Sequence, residues 1–73
     1  MIVTVDAGAA TAARDALAAA GVDADRLTAA TARGWTRLVV RVPGAADAPA
    51  LVRRVLDRLD ALGDDVRTVY APR

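Results

Sequence analysis

Glycines and a hairpin-type dipeptide divide this chain into segments that alternate between the patterns of strands and helices. Residues 2–5 are rich in β-branched side chains, as strands are, and Asp6 and Gly8 follow as a helix cap and a residue that permits a sharp turn. Residues 9–20 are nearly all helix formers, and Gly21 suits a left-handed C-cap. The chain is therefore predicted to begin with a strand that leads directly into a helix.

The middle of the chain is predicted to form a β-hairpin. Residues 27–32 and 36–42 are β-rich and flank Arg33-Gly34, which suits a tight turn. Side chains of the second strand alternate, with one face made by Leu38, Val40 and Val42 and the other by Arg37, Val39 and Arg41. Such alternation is typical of a sheet with one buried face and one wetter face.

A second helix and a final strand are predicted after the hairpin. Asp47 is a favourable N-cap, and Pro49 falls within the first turn, where its missing N–H costs nothing. The helix carries an apolar stripe at close to 3.6-residue spacing, made by Leu51, Val52, Val55, Leu56, Leu59 and Leu62. Gly63 closes this helix, and residues 66–71 form the last strand.

The order strand, helix, strand, strand, helix, strand restricts the topology. With right-handed crossovers it predicts an α+β, ferredoxin-like βαββαβ sandwich, in which two helices cover one face of a four-stranded antiparallel sheet of order 4-1-3-2. We expect one domain over residues 1–73. A chain this short buries only about 60% of the surface that its unfolded form exposes, so association would add stabilising burial. A homodimer is therefore expected.

The second strand of the predicted sheet is the expected contact between two copies. It lies at an edge, and residues 27–32 carry no charge or proline that would discourage pairing. Joining two copies there would produce a single eight-stranded sheet. The predicted interface residues are Leu27, Ala29, Ala30 and Trp35. Trp35, beside the hairpin turn, is expected either to cap one end of the core or to anchor a partner.

The residue types that are missing exclude most chemistry. The chain contains no His, Cys, Ser, Lys, Glu, Asn, Gln or Phe, which leaves Asp, Arg, Thr and Tyr70 as reactive groups. General bases near neutral pH, thiol and amine nucleophiles and soft metal ligands are thus absent, and we expect neither an enzyme nor a bound cofactor. Asp60, Asp64 and Asp65 are interpreted as a turn and cap rather than a cation site. The Arg, Asp and Ala bias is typical of GC-rich bacterial genes.

Charge and hydropathy favour neither nucleic acid nor membrane as a partner. The net charge is +1, with ten basic and nine acidic residues. Arg37, Arg41 and Arg67 are predicted to line the open sheet face without the aromatic side chains on which RNA bases stack. No apolar run reaches the roughly 18 residues of a membrane span, and the apolar start is too short for a signal peptide. A cytoplasmic location is expected.

Several residues stand at the spacing of a known family. Gly8, Gly21 and Leu27 open a helix, close it and begin the next strand. Later, Thr36-Arg37 begins an aliphatic strand, and a Leu-x-x-Leu motif over residues 59–62 ends the second helix. In these features the chain resembles ACT domains, especially those of the small regulatory subunits of acetohydroxyacid synthase. It departs from them where Ala7 replaces a proline and Asp23 replaces an asparagine.

The resemblance implies a regulatory module that binds a small amino acid across a dimer interface and acts on a biosynthetic enzyme partner. The implied ligand-binding residues are Gly8, Ala9, Asp23 and Ala24, with N–H groups at the helix start binding the carboxylate. Asp23 would pair with an amino group but repel a carboxylate. In the alternative, Gly8 is a simple turn residue and Asp23 and Asp25 are solvated. The chain is then a structural adapter that acts only through protein contacts.

Overall fold

The computed structural model describes residues 1–42 and 48–70, which form four strands and two helices. The strands are β1 (Ile2–Asp6), β2 (Leu27–Ala32), β3 (Trp35–Val40) and β4 (Val66–Tyr70), and the helices are α1 (Ala10–Ala19) and α2 (Ala48–Asp60). Short 3₁₀ turns cover Ala7–Ala9, Ala24–Arg26 and Gly63–Asp65. The predicted cap Asp47 and strand end Ala71 lie outside the described residues.

The strands form one antiparallel sheet in the order β2-β3-β1-β4, so β2 and β4 are its edges. This is the predicted order, and the fold is the predicted α+β, ferredoxin-like arrangement. Each helix connects an edge strand to an inner one, β1 to β2 through α1 and β3 to β4 through α2. The handedness of such connections explains why element order alone was enough to predict the sheet.

The core lies between the helices and the inner face of the sheet. Fully buried side chains come from both layers, with Val3, Val5 and Leu38 from the sheet and Ala13, Leu17 and Val55 from the helices. The buried hydroxyl of Thr36 lies 2.9 Å from the Thr31 hydroxyl, which satisfies it. Because α1 faces the core with alanines as well as leucine, it packs with little side-chain bulk.

Helix α1 ends in a Schellman motif, which confirms the predicted left-handed cap. Gly21 has a φ of +100°, its N–H donates to the Ala18 carbonyl at 3.0 Å, and the Val22 N–H donates to the Leu17 carbonyl at 3.0 Å. Val22 and Leu17 also belong to the same buried cluster. This pairing of hydrogen bonds and apolar contact is the usual form of the motif.

The β2–β3 hairpin closes through Arg33 and Gly34, as predicted. Ala32 pairs with Trp35 across a two-residue loop in which φ is +52° at Arg33 and +84° at Gly34. Two successive positive φ angles define a type I′ turn, for which Asn-Gly is the preferred dipeptide. Arg33 is the one non-glycine residue with positive φ in the described part of the chain.

Replacing Arg33 with asparagine is expected to stabilise the protein by roughly 0.5–1 kcal/mol, because asparagine tolerates the left-handed region better than arginine. The measurement is the free energy of unfolding from urea denaturation. Arg14→Asn, on the exposed side of α1, is the matched control and should give no gain, since asparagine is the poorer helix former. A variant no more stable than the parent would show that Arg33 is not strained.

Three local predictions are wrong. Asp6 makes no capping hydrogen bond, and its Oδ1 instead accepts a bond from Arg67 Nε at 2.6 Å, because β4 lies beside β1. Strand β3 covers Trp35–Val40 rather than 36–42, because β1 begins opposite Val39 and β2 begins opposite Val40. Leu56, expected in the core, is 40% exposed.

Strand β4 contains an irregularity that sequence alternation does not reveal. Val66 pairs with Val5 and Thr68 pairs with Thr4, so Arg67 is an extra residue relative to β1. Such a bulge shifts the alternation of side chains by one. As a result Val66 and Val69, which are three positions apart, both pack against the core.

Candidate functional site

The first pair of predicted ligand residues lies at the start of α1. Gly8 is exposed and Ala9 is buried within the 3₁₀ turn that leads into the helix. A Cβ at Gly8 would meet no heavy atom within 4 Å, and its φ is not left-handed. The backbone there does not require glycine, so the space above Gly8 is open to a ligand. The Ala7 N–H donates to the Gly34 carbonyl at 3.0 Å, which holds this turn beside the hairpin.

The second pair lies at the other end of α1. Asp23 and Ala24 are both exposed. Asp23 directly precedes the 3₁₀ turn that leads into β2, and Ala24 is the first residue of that turn. Helix α1 has ten residues, which separates the two ends by about 15 Å. One chain therefore does not bring Gly8 and Asp23 together.

Strand β2 is exposed on both of its faces as well as along its free edge. Leu27 is half-buried and packs against the core, whereas all five residues that follow are exposed. Register places Ala29 opposite buried Leu38, on the helix side, and Ala30 opposite Arg37, on the open side. Both faces of β2 are thus uncovered, and the strand has a partner on one side only within the described residues.

Trp35 was expected either to cap one end of the core or to anchor a partner. It does not cap the core. It alternates with buried Thr36 and pairs with Asp6 of β1, which places it on the open face of the sheet. The Arg37 guanidinium lies 5.4 Å from the centre of its ring, a distance that suits a cation–π contact. Trp35 is half-buried there, one strand in from the β2 edge.

The open face also carries an aromatic side chain that the sequence interpretation did not place there. Tyr70 is 76% exposed and lies in one cross-strand row with Ile2 and Val39, both of which are also exposed. The expectation of a face without aromatics is therefore wrong. Tyr70 and Trp35 are about 13 Å apart along the strands and about 10 Å across them, so they form no continuous stacking surface.

A cleft at the Asp23 end of the molecule gathers Arg26, Arg41 and Arg54. Arg41 was predicted to line the open sheet face, and the sequence did not single out the other two. The cleft has a volume of about 290 Å³ and is lined by Gly21, Val22, Asp23, Arg26, Arg41, Leu51 and Arg54. These residues come from the end of α1, the start of α2 and the turns flanking β2 and β3. Only the folded chain brings them together, and no sequence spacing indicated it.

A second concave surface lies between α2 and the edge strand β4. Leu56, Leu59, Val66 and Val69 form its apolar part, and Asp57 and Asp60 lie at its border, around a volume of about 470 Å³. Leu56 is 40% exposed on this surface, whereas Leu59, which also lines it, is buried.

Within residues 1–42 and 48–70, no three acidic side chains are arranged to hold a metal ion, and Asp64 and Asp65 belong to a 3₁₀ turn. Neither helix of the described part is long and apolar enough to cross a membrane. Comparison of the chain with protein-family models, curated proteins and solved structures found no match.

Proposed function

We propose that this protein is a non-catalytic regulatory module that forms a homodimer through β2 and binds a small amino acid at the dimer seam, in the manner of ACT domains. The observation that carries the proposal is the β2 edge, with five exposed residues in succession and no charge. A strand of this kind is an aggregation hazard unless a partner covers it. A second copy of the same strand is the partner that matches it in length and composition.

A two-fold dimer through β2 accounts for the separation of the predicted ligand residues. Antiparallel pairing of β2 with its copy places the end of one strand beside the start of the other. Gly8 lies near the end of β2, because the Ala7 N–H bonds to Gly34 of the hairpin, and Asp23 lies just before its start. The dimer would therefore bring Gly8 of one chain towards Asp23 of its partner, at two equivalent places.

The chemistry at these two places suits a zwitterion. Backbone N–H groups near the start of α1 favour a carboxylate, and the Asp23 carboxylate favours an ammonium group. The alanines around the seam leave room for a small side chain. A biosynthetic enzyme is the proposed target of the module, because the chain itself has no group suited to catalysis.

Differential scanning fluorimetry against the twenty amino acids tests this proposal. Binding at a hundredfold excess over the dissociation constant should stabilise the folded state by about 2.7 kcal/mol. Gly8→Val should abolish that stabilisation without unfolding the protein, since a side chain at Gly8 enters open space. Ala12→Val, on the exposed face of α1, places the same valine side chain elsewhere and should bind normally. Equal binding by parent and Gly8→Val would refute the placement of the site.

The second candidate is a structural adapter without a small ligand, and the open sheet face favours it. Ile2, Val39 and Tyr70 form an exposed apolar row beside the Trp35–Arg37 pair. Exposed apolar and aromatic clusters of this kind are common at protein contacts. Absence of any amino-acid response in the screen, together with a persistent dimer, would favour the adapter.

A further inference from the structure

We propose that the cleft between the end of α1 and the start of α2, lined by Arg26, Arg41 and Arg54, binds a small anion with two or more phosphate or carboxylate groups. The cleft belongs to one chain and needs no dimer. Its volume of about 290 Å³ fits a molecule of the size of pyrophosphate or citrate.

Among residues 1–42 and 48–70, no carboxylate forms an ion pair with any of the three arginines. Within residues 1–42 and 48–70 the one ion pair is Arg67 with Asp6, which lies elsewhere on the sheet. Three guanidinium groups around one small cleft repel one another unless an anion lies between them. Arginine offers five N–H donors in a planar fork that matches phosphate and carboxylate oxygens.

Two of the arginines are held in place by backbone carbonyls, which leaves most of their donors available. Arg54 Nε donates to the Ala20 carbonyl at 3.1 Å, and Arg41 Nη2 donates to the Asp25 carbonyl at 2.7 Å. Each bond uses one N–H and orients the rest of the guanidinium group. Such fixed donors lose less entropy when a ligand binds than freely rotating side chains do.

The other charges around the cleft set the valence of the ligand. Asp23 contributes one negative charge against three positive ones. The Ala20 carbonyl, at the negative end of the α1 dipole, accepts a hydrogen bond from Arg54 Nε. The surplus of two positive charges favours a ligand of at least two negative charges over a monovalent ion.

A purely structural role would leave the cleft empty of ligand. In that case Arg54 serves only to cap α1 and Arg41 only to tie down the turn before β2, both of which are known uses of arginine. A structural role predicts that removing these side chains changes stability and nothing else. Anion binding that depends on Arg26, which has no hydrogen bond from its side chain among the described residues, separates the two cases.

Isothermal titration of the full chain with inorganic pyrophosphate and, separately, with citrate tests the proposal. We expect saturable binding of one anion per chain, weakened roughly tenfold or more by Arg26→Ala and by Arg41→Ala, because each removes a charge-assisted hydrogen bond. Arg14→Ala on α1 removes the same charge from a distant exposed site and should change affinity less than about twofold. Arg41→Lys keeps the positive charge but loses the planar guanidinium donors. Its affinity for the anion should fall between those of Arg41→Ala and Arg14→Ala.

The outcomes are distinguishable from those of the seam site. Gly8→Val should bind the anion normally, since Gly8 is at the other end of α1, and loss of anion binding in that variant would overturn the cleft. An equal loss in Arg14→Ala would also overturn it, because the attraction would then be diffuse. The proposal would also be overturned if neither pyrophosphate nor citrate bound. Binding of pyrophosphate alone or of citrate alone would support the cleft and identify the anionic group that it accepts.

Discussion

Truncation of Leu38 to alanine is expected to lower the free energy of unfolding by about 2–5 kcal/mol. Leu38 lies on the inner strand β3, is fully buried and belongs to the core cluster. The loss combines the apolar contacts of the removed atoms with the cavity left between sheet and helices. A domain of this length has a total stability of roughly 4–11 kcal/mol, so the loss is a large fraction of the total. Urea denaturation followed by circular dichroism measures the change.

Leu56→Ala is the matched control for Leu38→Ala. Both positions belong to apolar patterns of equal strength in the sequence, yet Leu56 is 40% exposed in the groove between α2 and β4. Its truncation should cost less, about 1 kcal/mol, because 40% of the residue is already exposed to water and no enclosed cavity is left. Equal losses in the two variants would show that α2 packs more deeply than described, or that a partner covers the groove.

Introduction of an aspartate at Ala30 is expected to convert the proposed dimer into monomers. Ala30 is near the middle of β2, so a two-fold contact through this strand would place the two new carboxylates close together. Like charges facing each other across an interface cost several kcal/mol, which corresponds to a loss of affinity of about a hundredfold or more. Analytical ultracentrifugation across a range of protein concentrations measures the dissociation constant of the dimer.

Two further variants make the seam experiment specific. Ala29→Asp places the charge on the helix side of the same strand and should also give monomers, since its side chain is exposed as well. Ala12→Asp adds the same charge on the exposed face of α1 and should leave the dimer unchanged. A dimer that survives both β2 substitutions would move the contact to another surface, and the open face with Ile2 and Tyr70 would then be tested next.

Local interactions account for what the sequence by itself determined. Gly21 and Gly34 stand where the backbone turns left-handed, and such positions are readable because few other residues adopt that conformation. Residues 27–32 were predicted as a strand with the observed boundaries, because their composition and flanking turns are local features. Strand order followed from the order of the elements and the handedness of their connections.

Only the tertiary structure decided which side chains meet. Leu56 and Leu59 look alike in a helical pattern, yet in the folded chain Leu56 is exposed and Leu59 is buried. The bulge at Arg67 changes the face of β4 on which Val66 lies, and no periodicity contains it. Arg26, Arg41 and Arg54 are separated along the chain and share a cleft only because two helix ends and two strand ends meet there. Long-range contacts of this kind depend on packing, which residue spacing does not encode.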